Sequence, residues 1–90
     1  MKTFLHNPEV IFDDVDGVLT LCDTGTSEFF KLNHVGSMIW RVCDKQKNLE
    51  EIVEWIRGAY PEESPELLLR EVDEFVAELA EAGLLVAKED

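Results

Sequence analysis

Two histidines, His6 and His34, two cysteines, Cys22 and Cys43, and three serines, Ser27, Ser37 and Ser64, are the side chains of this chain best suited to act as base, ligand or nucleophile. Their spacing supports none of these roles. The histidines lie far apart with no motif around them, and each reads as a surface or capping residue. The cysteines form no CxxC pair and have no histidine cluster nearby, which argues against a zinc site. Both read as reduced core residues, a common place for a free thiol. The serines fall at turn or helix positions with local reasons to be there. HExxH, GxSxG and a Gly-rich phosphate loop are all lacking. Acid pairs such as Asp13-Asp14 and Glu50-Glu51 read as solvated faces in so acidic a chain. The sequence therefore points away from catalysis, and from any metal or cofactor.

Charge narrows the partners further. Twenty acidic residues against eight basic ones give a net charge of −12. Phosphate binding needs Lys and Arg to displace counterions, so such a surface repels nucleic acid and anionic lipid. At 90 residues with 46% hydrophobic content the chain reads as one domain, 1–90, with enough apolar material for a core. It has no apolar run of the roughly 20 residues that span a bilayer. Residues 1–8 lack the apolar stretch of a secretory signal, so a cytoplasmic location is expected.

The elements that must carry any binding site read as strands first. Val10-Ile11-Phe12, Val18-Leu19-Thr20-Leu21-Cys22 and Glu28-Phe29-Phe30-Lys31-Leu32 are short β-rich runs. The first pair is separated by Asp16-Gly17, a hairpin-turn dipeptide. The second pair is separated by residues 23–27, where Gly25 is available for a positive φ. Tight turns make this an antiparallel meander with two free edges.

Three helices follow. Asn33 caps the first, which runs to about Cys43 with Val35, Met38, Ile39 and Val42 along one face. Gly36, four residues before Trp40, leaves room over the indole. Asn48 caps the second, with Glu51 completing a capping box and Leu49, Ile52, Val53 and Ile56 as its buried stripe. Tyr60-Pro61 ends it. Ser64-Pro65 opens the third, whose stripe is Leu68, Val72, Phe75, Val76 and Leu79, and Gly83 stops it. Leu84-Leu85-Val86 then returns as an apolar tail. The predicted fold class is α+β, a winged helix-turn-helix-like arrangement of a three-stranded antiparallel sheet followed by three α-helices. Such folds often bind DNA, but this third helix carries Glu66, Glu71, Asp73, Glu74, Glu78 and Glu81 against Arg70, which is the wrong sign for a groove.

What remains is the strand edge. Phe29 and Phe30 are adjacent, so they point to opposite faces. One can enter the core while the other offers an aromatic wall. A strand edge carries unpaired N–H and C=O groups, and this one is weakly guarded, by one Lys and one Glu. An ordinary edge strand and a site for β-augmentation by a peptide both fit that pattern.

Residues 30–40, with Leu32-Asn33, Gly36 and Ile39-Trp40, resemble the LNxxGxxIW signature of the PqqD-like family, the leader-recognition domains of ribosomally made, modified peptides. Asp44 followed by Leu49-Glu50-Glu51-Ile52-Val53 is similar to the family's next stretch, and Tyr60-Pro61 to the end of its second helix. Val72 to Leu79 with Gly83-Leu84-Leu85 resembles its ending, with Glu71 where Asp is common. The likeness spans roughly residues 9–86.

The resemblance implies a mechanism. A precursor's leader peptide lies antiparallel to the third strand, in the groove between that strand and the third helix, and extends the sheet. On this sequence the strand side is Glu28, Phe29, Phe30, Lys31 and Leu32, and the helix side is drawn from Leu69, Arg70, Asp73, Val76 and Ala77. Backbone pairing supplies affinity, Phe29 and the helix's apolar residues supply pockets, and Lys31, Arg70 and Asp73 fix register. Residues 21–33 look most like the stand-alone adaptors of lasso-peptide clusters, which deliver the precursor to a leader protease and then a cyclase. The runner-up is the carrier of pyrroloquinoline quinone biosynthesis, which presents its precursor to a radical SAM enzyme. A third possibility is a regulatory interaction domain with no peptide client. The implied protein is a monomer without cofactor.

Overall fold

The computed structural model describes residues 1–89. Along the chain, Lys2–His6 forms β1, Val10–Val15 β2, Val18–Asp23 β3 and Glu28–Lys31 β4. His34–Val42 then forms α1, Lys47–Asn48 β5, Leu49–Ala59 α2, Pro65–Glu81 α3 and Leu85–Glu89 β6. The class is α+β, with two three-stranded antiparallel sheets, β2-β3-β4 and β5-β1-β6. The predicted order of three strands and three helices thus describes only the middle of the chain. A strand precedes it, and β1 joins β5 and β6 in a second sheet that the sequence reading lacked.

The meander forms for local reasons. Asp16 and Gly17 take φ values of 55° and 83° in the two-residue loop between the paired Val15 and Val18. Positive φ at both central residues matches the right-handed twist of the flanking strands. In the next turn the left-handed residue is Ser27 at φ 63°, not Gly25 as predicted. A Cβ on Gly25 would stand 3.2 Å from Asp23 Oδ1 and 2.6 Å from Oε2 of Glu9, an exposed side chain free to move aside.

Capping fixes where the helices begin. Asn33 accepts the Gly36 N–H at 2.8 Å. Asn48 and Glu51 form the reciprocal capping box at 2.9 and 3.0 Å. Ser64 caps α3, with Pro65 in its first turn and Gly83 at φ 80° just beyond its end. Leu68, Val72, Val76 and Leu79 of α3 are buried, each stabilising the fold by about 1.5–3 kcal/mol.

Helix α1 packs its predicted face against the core but buries a further arc most deeply. Gly36, Ser37, Ile39 and Trp40 are its buried residues, while Val35, Met38 and Val42 are half-buried. A Cβ on Gly36 would meet Phe75 Cε1 of α3 at 3.3 Å, so the glycine makes room for that ring rather than for Trp40. The indole of Trp40 is covered by His6, whose ring stacks on it at a centroid distance of 3.7 Å and an interplanar angle of 3°. His6 is therefore a half-buried packing residue, against the surface or capping role predicted. Cys43 is buried, and burial pushes its thiol pKa up to about 12, with the nearby Lys47 opposing and Asp44 adding to the shift. Cys22 is only half-buried, on the outer face of the meander.

The second sheet ties the ends together. Residues Lys2 to His6 pair with Glu89 to Leu85 in register. Asn7 reinforces the closure, its side-chain amide donating to Gly83 O at 2.7 Å and its backbone N–H to Leu84 O at 3.1 Å.

Candidate functional site

Strand β4 pairs with β3 on one side and, among the described residues, has no strand on the other. Leu32 N–H donates to Leu19 O at 2.9 Å, just past the end of the ladder. Alternation in an antiparallel ladder then directs the backbone groups of Glu28 and Phe30 toward β3 and those of Phe29 and Lys31 outward. The open edge thus offers two residues' worth of N–H and C=O groups at the spacing an added strand needs.

Side chains alternate across the same strand. Phe30 stands opposite Leu21 and is half-buried on the helix-facing side. Phe29 stands opposite Cys22 on the outer face and is 73% exposed. The open choice between the two phenylalanines resolves with Phe30 inward and Phe29 outward.

Beside this edge lies a groove of about 550 Å³ against the C-terminal half of α3. Phe29, Phe30, Lys31, Leu32 and Asn33 form its strand wall, and Phe75, Glu78, Leu79 and Ala82 its helix wall, with Leu84 also lining it. The helix wall is a stripe at i, i+3, i+4 and i+7, one flank of the α3 apolar face. The floor is apolar, and Lys31 and Glu78 are its charged lining residues. This arrangement can hold an extended peptide by backbone pairing on one side and apolar contact on the other. Its lining contains no Ser, Thr, Cys, Tyr or His, and the described residues contain no group of three or more His, Cys, Asp or Glu placed to bind a metal.

On the strand side, Phe29, Phe30, Lys31 and Leu32 come together in the groove, and Glu28 adjoins it on β4. On the helix side the predicted residues lie elsewhere. Val76 is 1% exposed in the core. Leu69 is 44% exposed and lines a separate depression with Met1, Lys2, Asn48, Leu49 and Glu50. Arg70, Asp73 and Ala77 are exposed and none lines the groove. Helix geometry gives the reason: at 3.6 residues per turn Leu69 points roughly 120° around the axis from Phe75, and Arg70, Asp73 and Ala77 point to the back. The sequence reading treated Phe75 as plain core and left out Glu78, Leu79 and Ala82. The spacing of that stripe was visible, but which flank faces β4 depends on the rotation of α3.

An open-edged antiparallel sheet backed by a helical trio, with an apolar groove between edge and helix, has the geometry of a small recognition domain. The chain belongs to the family described as coenzyme PQQ synthesis protein D (PqqD), which matches residues 18–85. Among solved structures it is similar to one described as TbiB1 in complex with the TbiA(beta) leader peptide, at 29% identity over 96% of this chain and 99% of that one, TM-score 0.84. A structure described as lasso peptide synthetase B1 complexed with the leader peptide shares the fold, at 20% identity over 92% and 96% of the two chains, TM-score 0.78. No curated protein matches the chain.

Proposed function

We propose that this chain captures the leader segment of a ribosomally made precursor peptide by adding it as a strand to the open edge of β4. Its alternate side chains settle into the groove against Phe75, Leu79 and Ala82. The observation that carries this reading is the unpaired edge of β4 beside an apolar groove. Family membership and the likeness to TbiB1, whose structure contains a leader peptide, support it. On this reading the peptide meets Phe75, Glu78, Leu79 and Ala82 on the helix side rather than Leu69, Arg70, Asp73, Val76 and Ala77.

In this reading the chain is a monomeric cytoplasmic adaptor that does no chemistry itself. It passes the leader to the protease and then the cyclase of a lasso-peptide pathway. The description of the matched family favours a second reading, in which the client is the precursor of pyrroloquinoline quinone and the recipient a radical SAM enzyme. Both readings place the peptide on the same edge.

Amide hydrogen exchange with and without saturating precursor peptide tests the site. Protection of the Phe29 and Lys31 amides, which face the open edge, is the expected result. Unchanged exchange at both positions overturns the proposal.

A further inference from the structure

The two walls of the groove differ in charge. Glu78 is the charged side chain that α3 contributes to it, and Lys31 stands opposite Thr20 on the outward face of β4. On the helix-facing side of β4, Glu28 shares a face with Phe30 and is registered directly opposite Asp23. Neither of these acids lines the groove, and Asp23 Oδ1 accepts the Gly25 N–H at 2.9 Å. The ion pairs among the described residues, Arg41–Asp14 and Arg57–Glu54, use none of these acids.

The end of α3 sharpens the imbalance. Helix C-termini carry a partial negative charge that Lys or Arg in the last turn normally offsets. Helices α1 and α2 have Arg41 and Arg57 there, whereas α3 has no base in its last turn. That is the turn from which Glu78 and Ala82 wall the groove. The apolar floor therefore lies beside a helix wall whose negative charge no base in the last turn of α3 offsets, while Lys31 is the charged side chain of the strand wall.

We infer that the peptide taken up by this groove carries Lys or Arg on its helix-facing side, next to the apolar side chain that enters the floor, with Glu78 as the residue that selects the charge. The inference rests on the groove being the leader site. It adds a specificity rule: strand pairing and apolar contact accept many sequences, and Glu78 rejects those with a carboxylate at that position.

A surface-displayed library of short random peptides, sorted in parallel against the wild-type chain and the Glu78→Lys variant, tests this. Wild type is expected to enrich peptides with Lys or Arg two residues from a large apolar residue, the spacing that puts both on one face of a strand. Representative peptides are expected to bind several-fold more weakly at high salt, and Glu78→Lys is expected to lose or reverse the charge preference. Enriched peptides without a cationic bias, or an unchanged bias on Glu78→Lys, overturn the charge rule and leave the groove reading standing. Binders that leave the Phe29 and Lys31 amides unprotected, or no enrichment at all, overturn the groove reading itself. Glu78 is exposed at the surface, so its replacement leaves the core intact, and an unchanged urea midpoint checks this.

Discussion

The ring of Phe75 lies 3.3 Å from the position a Cβ would take on Gly36, so α1 and α3 meet at a point where one side chain has been removed to seat another. That contact and the buried stripe Leu68, Val72, Val76 and Leu79 fix the rotation of α3 about its axis, and in that rotation Phe75, Glu78, Leu79 and Ala82 face β4.

Gly36→Ala tests whether the fit is tight. Alanine is the better helix former by about 1 kcal/mol. Its methyl must also push aside Phe75 and the capping oxygen of Asn33, 3.2 Å away, and overpacking of this kind costs about 1–3 kcal/mol. Net destabilisation of about 1 kcal/mol is expected in urea unfolding, together with weaker leader binding because the groove wall moves. A gain in stability would show that Phe75 can swing clear.

The two phenylalanines at the groove should separate stability from binding. Phe75 is half-buried against the core, so Phe75→Ala is expected to cost about 2 kcal/mol, below the roughly 3–5 kcal/mol of a fully buried ring. Phe29 is exposed on the outer face, and Phe29→Ala is expected to stay within about 0.5 kcal/mol of wild type. Paired urea melts and peptide titrations should show Phe75→Ala impaired in both and Phe29→Ala impaired in binding alone. Comparable loss of stability in both variants contradicts this division.

What the sequence disclosed follows the range of the interactions. Asp16-Gly17, Asn33, Asn48 with Glu51, and Ser64-Pro65 act on neighbours a few residues away, and each marks its turn or helix start where the structure has it. Strands β1 and β6 pair Lys2 with Glu89, and Thr3 meets Asn48 across β5, so nothing in any local window announces the second sheet. The strand wall of the groove was legible because alternation along β4 is local. The helix wall of the groove is formed by Phe75, Glu78, Leu79 and Ala82, not by Leu69 and the back of α3, because the rotation of α3 depends on contacts such as Gly36–Phe75 between residues distant in sequence.

Cys43 links burial to alkaline stability. Its thiol ionises near 9.0 when unperturbed and near 12 in the fold. The folded state thus keeps its proton where the unfolded chain has lost it, and the unfolded state binds fewer protons. Stability from this group is full below about pH 9 and falls as the pH rises toward about 12, by at most about 1.4 kcal/mol per pH unit. Urea midpoints measured across that window should decline in wild type, and the decline should be shallower in Cys43→Ala, which starts less stable. Parallel slopes in the two proteins would locate the alkaline sensitivity elsewhere.

Ser37 is the buried polar link between α1 and the meander. Its hydroxyl oxygen accepts the Leu19 N–H at 2.9 Å, and both residues are fully buried. A buried amide left without an acceptor costs about 1–3 kcal/mol, more than the few tenths gained by placing alanine in a helix. Ser37→Ala is therefore expected to lower stability by about 1–2 kcal/mol. The same change should speed exchange of the Leu19 amide relative to its neighbours in β3. Because Leu32 N–H donates to the carbonyl of that same Leu19, the loosening should pass to the junction of β4 and α1 and weaken peptide capture. Retained protection at Leu19 in the variant would show that another acceptor has taken the place of the hydroxyl, and the predicted loss of binding should then disappear with it.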